Sequence, residues 1–356
     1  MEKLAVELLL NIFALSCTDG GYTACSLALV CKHVGEVSRP LRFYSVALNG
    51  CPRKMQSFLI HLGKEHSAAC LTPQAKVRHL YLTTVDPTTW RSRQRETTPA
   101  LVEGGVADSR EDDNVDNADT RHSELPLTIE QYSALVASLL SSVAPDLETF
   151  TFLPYPYGPP SALTGIAFPH LRELRLVKPS SSTYDIIGKP TGPPLYPSLK
   201  KLLLNPGDLD AELWAYLAPG VTHLRVSGVG YQTSVGALAA VHGTGGSPGP
   251  FSELQSISIQ LDPPPPSRYC HGRPSVTYKR MVPALWKSQG AAASIPVYIL
   301  PPEVPWNWEE RQTKFYQQWL EWMEGRLDIW QVSEKCARGA YQGDTLPPYL
   351  CPPSAT

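Results

Sequence analysis

Although the chain holds eight cysteines, no two of them stand as Cys-x-x-Cys. A zinc ribbon or a thioredoxin-type redox pair needs that spacing, so the eight read as reduced thiols. Asn-x-Ser/Thr acceptors are missing, and no stretch approaches the roughly 18 apolar residues of a membrane span. Charge of one sign is lacking too. The 31 basic and 33 acidic residues nearly cancel, which leaves no global field for nucleic acid or anionic lipid. Gly-x-x-x-x-Gly-Lys-Ser/Thr is absent, and no Gly-x-Gly-x-x-Gly follows a strand-like run, so phosphate-cradling loops are excluded. Cys270-His271 and the scattered histidines lack metal-ligand spacing, and the acidic pair Asp112-Asp113 sits in sequence that holds no fixed geometry. The sequence calls for no cofactor and no metal.

What is present is a chain of 356 residues, 42% of them hydrophobic, enough for two or three folding units with a sizeable core. Near the N-terminus Leu4, Leu8, Ile12 and Leu15 recur every three or four positions, and Leu9 and Phe13 widen the stripe. A second stripe runs through Leu27, Val30, Cys31, Val34 and Val37, and Thr18-Asp19-Gly20-Gly21 between them suits a helix end and turn. Two short helices cannot bury both stripes unaided. Glu2 and Glu7 are acidic where a secretory leader is basic, and Asn11 interrupts the apolar run. The expected location is therefore cytoplasmic and/or nuclear.

Residues 2–48 resemble the F-box, in particular the F-box-like openings of fungal proteins. The family pattern begins Leu-Pro-x-Glu-Leu-Leu, continues to Ile-Phe, and carries a Val-Cys-Lys-x-Trp type sequence in a later helix. Leu4, Glu7, Leu8, Leu9, Ile12, Phe13, Val30, Cys31 and Lys32 match it, while Ala5 stands where Pro is usual and Val34 where an aromatic is common. The resemblance implies binding to the Skp-type adaptor, and through it the cullin scaffold, of a ubiquitin ligase. Leu4, Leu8, Ile12, Phe13 and Val30 are the implied contacts. A helical pair that merely caps the following domain is the alternative.

The middle of the chain repeats the pattern apolar-x-x-apolar-x-apolar. It occurs at Val77-Leu80-Leu82, Leu147-Phe150-Phe152, Leu171-Leu174-Leu176, Leu199-Leu202-Leu204, Val221-Leu224-Val226 and Leu254-Ile257-Ile259. The last two positions alternate as a half-buried strand requires, and the first closes the preceding turn. The spacing brackets the about 20 to 29 residues of leucine-rich repeats, with insertions. Thr128 to Val143 predicts a helix opened by a Thr128/Gln131 capping box, and Asp208 to Leu217 and Gln232 to Val241 are shorter candidates. The fold class expected is α/β: an F-box-like helical domain over 1–50, then an irregular leucine-rich-repeat-like solenoid of parallel strands over 71–302. A parallel sheet of another α/β fold is the alternative. Residues about 87–124 are too polar to offset their chain entropy and read as a disordered insertion.

Residues 303–340 read as an aromatic-rich helical cap over the open end of the solenoid, and 341–356 as a flexible tail. Trp306, Trp308, Phe315, Tyr316, Trp319, Leu320, Trp322 and Met323 crowd this helix. One literal enzyme motif exists, Gly245-Gly246-Ser247-Pro248-Gly249, but Pro248 and Pro250 flank a turn where a nucleophile elbow needs strand and helix. A serine hydrolase using Ser247 is the remote alternative. The leading reading is a non-catalytic substrate-recognition subunit of an SCF-type ligase. Its unidentified protein target would lie on the concave face formed by His79, Tyr81, Arg175, Lys201, His223 and Arg225. Nucleic acid and membrane are not expected partners. A scaffold that keeps this fold without joining a ligase is the second reading.

Overall fold

The computed structural model describes residues 4–68, 75–84, 127–154, 163, 165–177, 192–205, 209–229, 241, 249–261, 295–300 and 308–330. Its centre is one sheet of eight strands: β1 (Ser45–Leu48), β2 (His79–Thr83), β3 (Thr149–Leu153), β4 (Glu173–Leu176), β5 (Lys201–Leu204), β6 (His223–Val229), β7 (Ser256–Leu261) and β8 (Val297–Leu300). The strands lie in sequence order and every neighbouring pair is parallel. The α/β class is thereby established. The predicted disordered insertion, the tail, the Gln232 to Ala240 part of one helix candidate and Ser247 lie outside the described residues.

Alternation along each strand sends one set of side chains to each face. On the first face Leu80, Leu82, Phe150, Phe152, Leu174, Leu176, Leu202, Leu204, Leu224, Val226, Ile257 and Ile259 form a continuous apolar layer. Among the described residues, three helices cover it. They are α4 (Pro52–Ala68) through Met55, Phe58 and Leu62, α5 (Ile129–Val143) through Tyr132, Val136, Leu139 and Leu140, and α6 (Ala211–Leu217) through Trp214 and Leu217. The Thr128/Gln131 capping box of α5 forms in both directions, and Asp210 caps α6 by accepting from the Leu213 N–H at 3.0 Å.

The repeat extends further than the apolar triplet alone. Three residues before its first apolar position stand Ala144, Phe168, Tyr196, Ala218 and Phe251, all buried, and four of the five precede a proline. In the first four units the N–H of Leu147, Leu171, Leu199 or Val221 donates back across the turn to that residue's carbonyl. Proline there presets the φ that such a turn needs. Phe150, Phe168, Tyr196 and Trp214 stack in a row with ring centroids 5.5–6.1 Å apart. Strands β2 to β7 each open on two successive N–H groups that share one carbonyl of the previous unit. Glu148 and Thr149 donate to Arg78 O, Arg172 and Glu173 to Glu148 O, Lys200 and Lys201 to Arg172 O, and Thr222 and His223 to Lys200 O.

Two elements were not anticipated. β1 is a further copy of the pattern, Phe43-x-x-Val46-x-Leu48, hidden inside the stretch assigned to the helical domain; Val46 and Leu48 pair with Leu80 and Leu82. Helix α4 is the other. Pro52 at its first turn and Met55, Phe58, Leu59 and Leu62 at helical spacing were its signal.

Candidate protein-docking surfaces

The N-terminal segment folds as α1 (Val6–Ser16), α2 (Tyr22–Leu27) and α3 (Lys32–Ser38). Gly20 and Gly21 take φ of +76° and +102° in the turn, the left-handed region that side chains disfavour. Gly21 is the N-cap of α2, and from two residues further upstream the Asp19 carboxylate accepts from the Thr23 N–H at 2.9 Å and the Thr23 hydroxyl at 2.6 Å. Instead of one continuous second helix, the chain turns at Ala28–Val30 and restarts where Cys31 Sγ accepts from the Val34 N–H. Leu9 and Phe13 of α1 pack against Val34 and Val37. Arg39 and Arg42 both reach the Glu65 carboxylate, at 2.7 and 3.7 Å, and tie this segment to α4.

With Leu9 and Phe13 turned inward, the rest of the stripe faces out. Leu8 is 53% exposed, Ile12 50% and Val30 63%, and Leu4, Val6, Leu15 and Leu29 are exposed as well. Phe13, expected among the contacts, is 4% exposed and belongs to the inner seam. The sequence did not separate the two sets because α1 is apolar on both sides. Only the position of α3 decides which side is covered.

The second face of the sheet was expected to lie open as a concave target site. It is covered. Helix α7 (Trp308–Met323) lies across it rather than over an end of the sheet, and Phe315 and Trp319 are buried against Tyr81, Leu153, Val177 and Leu203. Those four apolar side chains, interleaved with polar ones, give the aromatic stripe of α7 something to bury against. The hydroxyl of Tyr81 donates to Gln312 O at 3.1 Å, and burial pushes its pKa up. Arg175 is buried with Glu173: Nε donates to Oε1 at 2.6 Å, Nη2 makes an ion contact to the same oxygen at 2.5 Å, and the guanidinium stacks 4.8 Å from the Trp322 ring. Such a pair costs desolvation on both charges, which the Nε bond and the Trp322 ring offset, although Nη2 finds no hydrogen-bond partner among the described residues.

Three further expected residues lie toward the C-terminal end of the described chain. Lys201 Nζ stands 5.8 Å from the Trp330 ring and 4.0 Å from Asp328 Oδ1. Arg225 Nη1 donates to Ile329 O, and Nη2 to Gln260 Oε1, both at 2.7 Å. His223 meets the Trp330 ring edge-on at 6.5 Å, and burial, with Lys201 beside it, lowers its pKa against the opposing pull of Asp328. Arg175, Lys201 and Arg225 thus share one face as expected, but each already engages the chain's own residues.

His79 sits at the other side of this face, its Nδ1 2.9 Å from Thr149 Oγ1, between Tyr44 at 5.0 Å and Trp322 at 6.2 Å. Burial, with Arg78 adding to it, pushes its pKa down to about 4, so the imidazole is neutral at pH 7. These three rings, with Asn11, Ala14, Leu15, Thr18, Met323 and Glu324, line a groove of about 650 Å³ between the end of α1 and the end of α7. No helix among the described residues is long and apolar enough to cross a membrane. No family model, curated protein or solved structure matches this chain.

Proposed function

We propose that this chain is the substrate-recognition subunit of an SCF-type cullin-RING ubiquitin ligase, an F-box-like helical module joined to a degenerate leucine-rich-repeat-like region. The observation that carries the reading is the division of α1. Leu9 and Phe13 hold the helices together, which leaves Leu8 and Ile12, one turn apart, half-exposed with Leu4 and Val30. A helix that spends only one apolar edge on its own fold keeps the other for a partner's groove. The departure at Ala5 is conformationally neutral, since its φ of −60° is one a proline ring adopts. The in-order parallel strands, with one repeated turn before each of several, support the repeat-like reading of the rest. On this reading catalysis belongs to partner proteins.

The test is a titration of the full chain with purified Skp-type adaptor. Micromolar or tighter binding is expected, weakened at least tenfold by Leu8→Asp or Ile12→Asp. Failure of the wild-type chain to bind removes the ligase reading and leaves a non-catalytic scaffold.

A further inference from the structure

The helix that covers the second face of the sheet stops abruptly, and the chain beyond it adds polar contacts to the apolar ones. Gly325, at φ +70°, ends α7: its N–H donates to Trp322 O at 2.9 Å and the Arg326 N–H to Glu321 O at 2.8 Å. The chain then doubles back as Leu327-Asp328-Ile329-Trp330 across β5 and β6. Upstream of Gly325 the contact is a packed core, with Trp319 and Phe315 buried in the sheet face. Downstream, Ile329 and Trp330 are only partly buried against that cluster, and the segment adds polar contacts to a basic surface. One main-chain carbonyl, one carboxylate and one indole meet Arg225, Lys201 and His223.

The receiving side is fixed in part by buried groups. Gln260 Oε1 accepts from Arg225 Nη2 at 2.7 Å and from the Ser227 hydroxyl at 3.1 Å, so the guanidinium is aimed by groups that are themselves buried. Asp328 and Lys201 remain 38% and 33% exposed as side chains. We propose that the surface of Lys201, His223 and Arg225 recognises short acidic-aromatic protein segments of the form Asp-x-Trp, and that Asp328-Ile329-Trp330 occupies it in cis. The chemistry fits such a segment in three places. The middle residue presents its carbonyl to Arg225, the carboxylate answers Lys201, and the indole lies flat enough for the lysine cation and edge-on to the imidazole. A tethered occupant acts at an effective concentration of about millimolar, so a target competes only by matching it closely or arriving as part of a larger contact. This rests on the reading of the sheet as the target-binding region and not on the adaptor, whose binding is measured separately at α1.

The probe is a fluorescent, amidated synthetic copy of residues 326–330, followed by anisotropy with the full-length chain. Asp328→Asn with Trp330→Ala in the protein removes the cis occupant, and this variant is expected to bind the probe at least tenfold more tightly than wild type. Adding Lys201→Gln, or replacing the probe's aspartate by asparagine, is expected to weaken it several-fold. Hydrogen exchange on the wild-type chain supplies a measurement that needs no variant: saturating probe must speed exchange of the amides of residues 326–330. Equal binding by wild type and the opened variant, or exchange unchanged at saturation, would overturn the proposal. Adaptor binding that fails while the probe binds removes the ligase reading alone. A failed probe beside intact adaptor binding removes this proposal alone.

Discussion

Leu8 and Phe13 belong to the same helix and carry opposite duties, which makes their substitutions separable. Phe13→Ala should cost about 3–5 kcal/mol or unfold the N-terminal helices outright, because it empties the seam against Val34 and Val37. Leu8→Asp, on the outer edge, should change stability by no more than about 1 kcal/mol. Urea denaturation monitored by circular dichroism distinguishes the two. His79 supplies a pH dependence of determinable sign. Its folded pKa of about 4 lies below the ordinary histidine value of 6.5, so protonation favours the unfolded chain. The contribution is fully present above pH 6.5 and is lost as pH falls toward 4, up to about 3 kcal/mol at the acid end. The urea midpoint should fall over that window, and His79→Gln should flatten that part of the fall. Which side of an all-apolar helix is covered is a property of neighbours, so Leu8 and Phe13 could not be told apart from sequence. The alternation of Leu80, Tyr81 and Leu82 could, because period two carries its own direction.

Among the elements, those with both a start signal and a period were readable in advance. Helix α5 had Thr128, Gln131 and a broad apolar face, and it formed within those bounds. Thr128→Ala should lower stability by about 1 kcal/mol, read from the thermal midpoint, with a larger loss excluded by the exposed position of the cap. Strand β1 was overlooked because the resemblance of residues 2–48 claimed its residues first, although Phe43-x-x-Val46-x-Leu48 repeats the pattern seen downstream. The Phe-Pro, Tyr-Pro and Ala-Pro pairs at 168, 196, 144 and 218 were visible too, yet a proline pair reads as an irregular loop until its common offset from the next strand is noticed. Helix α7 was anticipated, but its seat was not: the aromatic stripe showed that something must be buried, and nothing in it names the sheet face as the partner. Trp319→Ala should cost about 3–5 kcal/mol and loosen the whole second face, seen as faster hydrogen exchange in β2 through β5.

At the scale of the whole molecule, the described structure is a row of strands in which each makes its ladder only with the strands before and after it. Helices on one side and α7 on the other convert that row into a layered body whose two faces differ in kind, one apolar throughout and one mixed. The mixed face made a binding role plausible from sequence, and the same mixture lets residues 328–330 of the chain itself settle there. The shared carbonyl at the start of successive strands has a further consequence. Two amides closing on one oxygen reset the alignment of each strand from β2 to β7, whatever length of chain has been traversed since the last. Errors in connection length therefore do not accumulate along the row. Lengthening the chain between Val177 and Gly192 by a few glycines and serines should leave the pairing of β4 with β5 untouched. Proteins assembled this way can vary their connections freely while the frame keeps count.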